Sequence, residues 1–97
     1  MTAVTKARID ANQDQIVSAL RAAGAIVRIV TQGNGLPDLL VGYRGHTILM
    51  EVKDGRKVPS ARKLTEAEQK FFDEWRGGML RVVESVDEAL DILKNFS

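Results

Sequence analysis

The stretch GLPDLLVGYRGHTILMEVK, residues 35–53, decides the fold of this 97-residue chain. Two runs rich in branched and aliphatic side chains, Asp38 to Tyr43 and His46 to Lys53, flank the dipeptide Arg44-Gly45. Such runs on either side of a two-residue turn predict a β-hairpin. Tyr43 then pairs with His46, and counting back along both strands places Asp38 directly opposite Glu51.

The elements before the hairpin are predicted from the spacing of apolar residues and from glycines that end helices or form turns. Apolar residues from Ile9 to Ala23 recur at helical spacing and end at Gly24, a typical C-cap residue. The β-branched run Ala25 to Val30 predicts a strand, and Thr31 to Gly35 predicts a turn or flexible loop.

After the hairpin, the polar stretch 54–63 predicts a loop, and Thr65 with Glu68 forms a capping-box pattern that opens a second helix. Phe71, Phe72 and Trp75 share helical spacing, which predicts a buried stripe. Residues 79–83 predict a strand and 86–96 a last helix. The order αβββαβα predicts an α/β sandwich with helices on both faces of a central mixed sheet, in one domain spanning residues 1–97.

Composition removes several classes of function. The chain has no cysteine and one histidine, which excludes disulfides and thiolate metal sites. No apolar run approaches the roughly 20 residues of a membrane span, and no signal peptide is evident. We therefore expect a cytoplasmic protein with no membrane partner.

The net charge of +1 hides a local excess of positive charge. Residues 53–63 are basic, whereas residues 64–97 are mostly acidic. Taken alone, a basic loop is most often only solvated, but it can also hold a polyanion. The basic side chains that follow Lys53 in this segment are Arg56, Lys57, Arg62 and Lys63.

The predicted hairpin brings Asp38, Glu51 and Lys53 onto one face. Opposed carboxylates about 5 Å apart repel each other by about 3 kcal/mol at an effective dielectric near 20. Lys53 or a divalent cation would offset that repulsion, and oxygen ligands favour Mg²⁺ or Mn²⁺. The arrangement suits phosphodiester hydrolysis. Spacing alone fits an ordinary surface charge cluster equally well.

The residues that carry this cluster also carry a resemblance. Pro37-Asp38 followed by Glu51-Val52-Lys53 resembles the two halves of the PD-(D/E)XK nuclease motif. Together with residues 31–36 and with Leu64-Thr65 and Gln69, the pattern resembles the VRR-NUC family of virus-type replication and repair nucleases. The similarity extends from the first helix to the last and implies a restriction-endonuclease-like fold.

The resemblance implies specific roles. Asp38, Glu51 and the backbone carbonyl of Val52 are the implied ligands of Mg²⁺ or Mn²⁺, and Lys53 is the implied catalytic lysine. Gln69 matches the family's catalytic helix glutamine, although Glu68 competes in register. Many relatives place a metal-binding glutamate on the first helix.

The position that matches this glutamate is Gln13, which puts strong metal binding by the first helix in doubt. An amide within an apolar stripe needs a hydrogen-bond partner, which could be a site water, a phosphate or the backbone. The loop from Gly33 to Gly35, with Asn34 at its centre, is either a simple turn or a close approach to a DNA phosphate.

The implied function is a structure-selective DNA endonuclease, similar to Holliday-junction resolvases, in replication, repair or recombination. The alternatives are a restriction-type endonuclease and a non-catalytic DNA-binding module that kept the fold. Expected partners are branched or duplex DNA, a second copy of the chain in a homodimer, and a helicase or other replication protein.

Overall fold

A hairpin lies at the centre of the fold, as the sequence predicts. The computed structural model describes residues 10–30 and 33–96, and its strands β2 (Leu39–Tyr43) and β3 (His46–Val52) are antiparallel. Tyr43 pairs with His46 across a two-residue turn in which Arg44 and Gly45 have φ values of 50° and 85°. Two positive φ values at the turn centre are typical of the type I′ turn that matches strand twist.

The other two strands extend the hairpin into a four-stranded mixed sheet. β1 (Ile26–Ile29) pairs antiparallel with β2, and β4 (Met79–Val83) pairs parallel with β3, so the spatial order is β1-β2-β3-β4. The predicted element order and mixed sheet are confirmed.

Two helices cover one face of the sheet and enclose the core. They are α1 (Gln13–Ala22), followed by Gly24 in the left-handed region, and α3 (Val86–Lys94), capped by the Ser85 hydroxyl. The inward side chains of β2 and β3 alternate with outward ones, as a period of two requires. The largest fully buried side chains are Ile16, Leu20, Val27, Leu39, Val41, Ile48, Met50, Val52 and Val83.

The third helix, α2 (Glu66–Glu74), covers the opposite face only in part. None of its residues is fully buried, and the prediction of a buried aromatic stripe is wrong: Phe71 and Phe72 are half-buried and Trp75 is 37% exposed. The first turn of α2 packs against the loop before β2 instead of the middle of the sheet. The side chains of Ile26 and Leu40 on that face therefore remain exposed.

The predicted loop 54–63 contains a short 3-10 helix, Pro59–Arg62, that the sequence reading missed. Proline at its first turn has the fixed φ that suits a helix start. The Arg62 guanidinium pairs with Glu84 at 2.9 Å, which fixes this segment to the end of β4.

β1 is one of the two edge strands of the sheet, the other being β4. Its pairing turns the main chains of Ile26 and Arg28 towards β2 and leaves the Val27 carbonyl on the outer edge. Arg21 on α1 donates a hydrogen bond to that carbonyl at 2.8 Å, and Arg28 donates a second at 3.3 Å. In the described part of the chain, no helix is long and apolar enough to cross a membrane.

Candidate active site

Asp38 lies immediately before β2, at the end of the hairpin away from its turn. Its carboxylate Oδ2 accepts a hydrogen bond from the Val52 N–H at 2.7 Å. Because Leu39 pairs with Met50, the next residues along the two strands are Asp38 and Glu51, as the sequence predicts. Partial burial raises the pKa of Asp38, and the hydrogen bond from Val52 opposes that rise.

Glu51 is a carboxylate held inside the protein. The residue is 2% exposed, and its Oε1 is buried with no hydrogen-bond partner among the described residues. Burial, followed by repulsion from Asp38 and hydrogen bonding to Glu68, raises the pKa of Glu51 to about 9. At neutral pH this side chain therefore holds a proton unless a cation takes that proton's place.

Lys53 follows the last residue of β3, on the same face as Glu51. Its Nζ lies 2.8 Å from Glu68 Oε1 and 3.7 Å from Glu51 Oε2. Burial alone lowers the pKa of Lys53, but the hydrogen bond and charge of Glu68 outweigh burial and raise it. The main chain of Lys53 is also fixed, since its N–H donates to the Val83 carbonyl at 3.0 Å and its carbonyl accepts from Asn12 Nδ2 at 3.1 Å.

Glu68 comes from the first turn of α2 and completes the charged cluster. Its Oε1 accepts from both Lys53 Nζ and the Thr65 N–H, each at 2.8 Å, and the Thr65 hydroxyl caps the Glu68 N–H in return. The predicted capping box is confirmed. Burial opposes ionisation of Glu68, yet the bonds from Lys53 and Thr65 lower its pKa overall.

Gln69, the predicted helix glutamine, lies outside this cluster. Its side chain is exposed and donates to Asp73 Oδ1 at 2.9 Å, along the outer face of α2. Of the two residues that compete in register, the structure places Glu68 against Lys53 and Gln69 on the outer face of α2.

These residues open into a cleft of about 630 Å³. One wall is a type I′-like turn in which Asn34 and Gly35 have φ values of 59° and 83° and the Leu36 N–H donates to the Gly33 carbonyl. A Cβ on Gly35 would collide with the Ala67 carbonyl oxygen, so only glycine allows the turn to pack against α2. The cleft is also lined by Asp10, Asp38, Glu51, Lys53, Lys57, Lys63, Thr65 and Glu68.

The predicted DNA-contacting residues divide into two groups. Asn34, Lys57 and Lys63 line the cleft. The remaining three, which are Gln13, Arg56 and Arg62, do not.

Each of these three has another place in the fold. Gln13 is the first residue of α1, only 3% exposed. Arg56 turns back onto Asp54 through two side-chain hydrogen bonds of 3.0 Å, and Arg62 is occupied by Glu84. These three side chains therefore lie outside the cleft, and their contact with DNA stays a prediction.

The oxygen atoms at this site are of the kind that bind a hard divalent cation. Oxygen ligands from Asp38, Glu51 and the Val52 carbonyl are the type that Mg²⁺ accepts, and the unpartnered Glu51 Oε1 is an oxygen that needs a donor or a cation. No group of three or more His, Cys, Asp or Glu side chains in the described ranges is arranged to hold a metal ion. The residues fit a site of two carboxylates and one carbonyl.

Two residues of the site region were missed from the sequence. Asp10 lines the cleft and lies 3.4 Å from Lys57 Nζ, whereas the sequence pattern directed attention to Gln13 one turn later. Asn12 is 6% exposed and donates to the Lys53 and Glu84 carbonyls, both at 3.1 Å, which joins α1 to the ends of β3 and β4. The only sequence signal for either was a polar residue beside an apolar stripe.

Comparison with solved structures identifies the type of fold. The chain is similar to a solved structure described as a VRR_NUC domain, with a TM-score of 0.59 and 25% sequence identity over 91% of this chain and 100% of the other. No family model and no curated protein matches the sequence. The fold is that of a VRR-NUC-type nuclease domain, and the resemblance read from the sequence is confirmed at that level.

Proposed function

We propose that this chain is a divalent-metal-dependent DNA endonuclease that hydrolyses phosphodiester bonds in the cleft of Asp38, Glu51 and Lys53. The observation that carries the proposal is the buried Glu51 carboxylate beside Asp38, whose Oε1 has no hydrogen-bond partner among the described residues, in a nuclease-type fold. A buried carboxylate with an unsatisfied oxygen seldom stabilises a protein, because its desolvation is costly.

The residues divide the work according to their geometry. Asp38, Glu51 and the Val52 carbonyl would hold Mg²⁺ or Mn²⁺, which supplies a Lewis acid for the phosphate and an acidified water when bound. Lys53 contributes a positive charge and a hydrogen-bond donor beside the reacting phosphate, where negative charge develops in the transition state. Glu68 holds the Lys53 ammonium in position.

The lysines at the cleft rim would hold the DNA backbone. Lys57 and Lys63 line the cleft, and contacts from such side chains to phosphates fix a duplex in register without reading its sequence. This supports selection of DNA by structure, as in resolvases that cut four-way junctions, in replication, repair or recombination.

We also propose that the working form is a homodimer. A single cleft holds one phosphodiester, and two cuts on opposite strands of a branched DNA need two sites related by a two-fold axis. A helicase or other replication protein that positions a single chain is the competing arrangement. Light scattering of the free protein and of its junction complex distinguishes them, because a mass of one chain in both states would contradict the dimer.

The central experiment compares linear duplex, flap and four-way-junction DNA with and without Mg²⁺ or Mn²⁺. We expect metal-dependent cleavage, and we expect Glu51→Gln and Lys53→Ala each to lower its rate by about a hundredfold or more. Lys70→Ala, a surface change on α2, is the matched control. Metal-dependent DNA binding without cleavage by the folded wild-type protein would instead identify a non-catalytic module.

A further inference from the structure

The end of the β2–β3 ladder has an unusual composition. The last paired residues are Leu39 and Met50, and two steps further along the same register Pro37 faces Val52. Pro37 is buried, so it is held in place at the end of the ladder.

The direction of the main-chain groups follows from the neighbouring bonds. The Val30 N–H donates to the Asp38 carbonyl, so the main chain of Asp38 faces β1 and that of Pro37 faces β3. The Lys53 N–H donates to Val83 on β4, so the N–H and C=O of Val52 both face β2. An ordinary residue at position 37 would therefore exchange two hydrogen bonds with Val52.

Neither of these two main-chain hydrogen bonds between residue 37 and Val52 is formed. The Val52 N–H donates to the Asp38 carboxylate at 2.7 Å, which replaces the main-chain acceptor. The other bond needs an N–H at position 37, and proline has none. The Val52 carbonyl thus meets no ladder donor at a point where two carboxylates, Asp38 and Glu51, converge.

We propose that Pro37 is a positioning residue that keeps the Val52 carbonyl available to a divalent cation by withholding an N–H from the last step of the ladder. Asp38 uses one oxygen for the Val52 N–H and keeps the other for the cation, beside the unpartnered Glu51 Oε1. In the Pro-Asp dipeptide, Pro37 leaves the Val52 carbonyl without a ladder donor, and Asp38 supplies a side-chain acceptor for the Val52 N–H. This inference rests on the proposed function of the site.

The test restores the missing donor. In Pro37→Ala the new N–H would compete with the cation for the Val52 carbonyl, and we expect Mn²⁺ and Mg²⁺ to bind about fivefold to tenfold more weakly, by titration calorimetry without DNA. Lactic acid incorporated at position 37 has the alanine side chain and no N–H, so it should bind as wild type does. Pro59→Ala, in the 3-10 helix, is a control for loss of a proline elsewhere.

A second measurement keeps the inference testable by structure. In metal-free Pro37→Ala, exchange of the residue 37 amide should be slow, and Mg²⁺ should accelerate it by pulling the carbonyl away. Pro37→Gly offers the same N–H if the alanine variant does not fold.

Three outcomes would overturn the inference. They are wild-type affinity in the folded alanine and glycine variants, weakened binding with a freely exchanging amide, and equal weakening by lactic acid. If wild type cleaves DNA with Mg²⁺ while any of these holds, only the role of Pro37 fails. If wild type binds no metal at all, the proposed function fails with it.

Discussion

Lys53 and Glu68 belong to a strand end and a helix start, and their side chains meet with Nζ 2.8 Å from Oε1. The same Oε1 accepts from the Thr65 N–H, so one carboxylate oxygen caps α2 and holds the lysine. The direction of the Lys53 side chain is therefore tied to the integrity of the first turn of α2.

The contact between Glu68 and Lys53 predicts that Glu68→Ala lowers kcat by about tenfold to a hundredfold, because Lys53 without this partner samples positions away from the phosphate. KM should change little, since Glu68 has the wrong charge to hold DNA. Steady-state cleavage kinetics on the preferred DNA measure both. The adjacent Gln69→Ala, on the outer face of α2, should remain close to wild type.

A matched variant separates the cap from the lysine contact. Thr65→Ala removes the cap hydroxyl, which costs about 1 kcal/mol of stability, and leaves the Glu68 to Lys53 bond in place. If Thr65→Ala and Glu68→Ala lost kcat equally, Glu68 would act only through helix stability.

The raised pKa of Glu51 predicts how stability varies with pH in metal-free buffer. Between about pH 4.5 and 9 the folded protein holds a proton on Glu51 that the unfolded chain releases, so the free energy of unfolding falls as pH rises across this window. Glu51→Gln cannot lose that proton. At pH 8 we expect it to melt about 5 °C or more above wild type, and the difference should shrink towards pH 5.

Thermal melts in a chelator, followed by circular dichroism, provide this comparison. Gln69→Ala keeps Glu51 and should therefore follow the wild-type dependence of melting temperature on pH. A Glu51→Gln melting temperature below wild type at both pH values would show that the ionised carboxylate stabilises the protein, contrary to the buried geometry.

Of the basic side chains in residues 53–63 that were predicted to contact DNA, only Lys57 and Lys63 line the cleft. We therefore predict that these two lysines hold DNA. Replacing Lys57 and Lys63 together with alanine should weaken binding to all sequences alike and reduce the slope of log affinity against log salt by about one per lysine. Fluorescence anisotropy at several salt concentrations measures the slope. The control is the double variant Lys70→Ala, Lys94→Ala, which removes the same amount of charge from α2 and α3, away from the cleft. If both double variants reduced the salt slope equally, the effect would come from net charge and not from contacts of Lys57 and Lys63 with DNA.

The hydrogen bonds of Asn12 predict an effect on the stability of the fold. Asn12→Ala removes the donor for the buried carbonyls of Lys53 and Glu84, and we expect a loss of about 2 kcal/mol in the free energy of unfolding. Urea denaturation measures it, with the exposed neighbour Gln15→Ala as control. Equal stability of both variants would mean that water replaces the amide without cost.

The parts predicted from sequence are those fixed by local geometry. The register of Asp38 against Glu51 follows from a two-residue turn, and the capping box follows from the spacing of Thr65 and Glu68. Both depend on residues close in the chain, so no tertiary contact was needed to predict them.

The features that the sequence did not predict depend on how helices are rotated and placed. Gly35 lets the first turn of α2 approach the loop before β2, and that contact points Glu68 inwards, Gln69 outwards and Trp75 partly into solvent. Apolar periodicity defines a stripe on a helix, but it does not reveal how much sheet lies beneath the stripe.

The guanidinium of Arg21 on the Val27 carbonyl bears on how two copies of the chain can meet. An incoming strand that sought to lengthen the sheet at β1 would have to expel a charged group from the acceptor it needs, which is a common defence against edge-to-edge aggregation. A second copy that approaches at β1 must therefore do so through side chains and not through backbone pairing. Arg21→Ala would expose this edge, and pairing of β1 with β1 of a second copy should then add a closed two-fold contact, which light scattering would detect as an increase in mass over wild type.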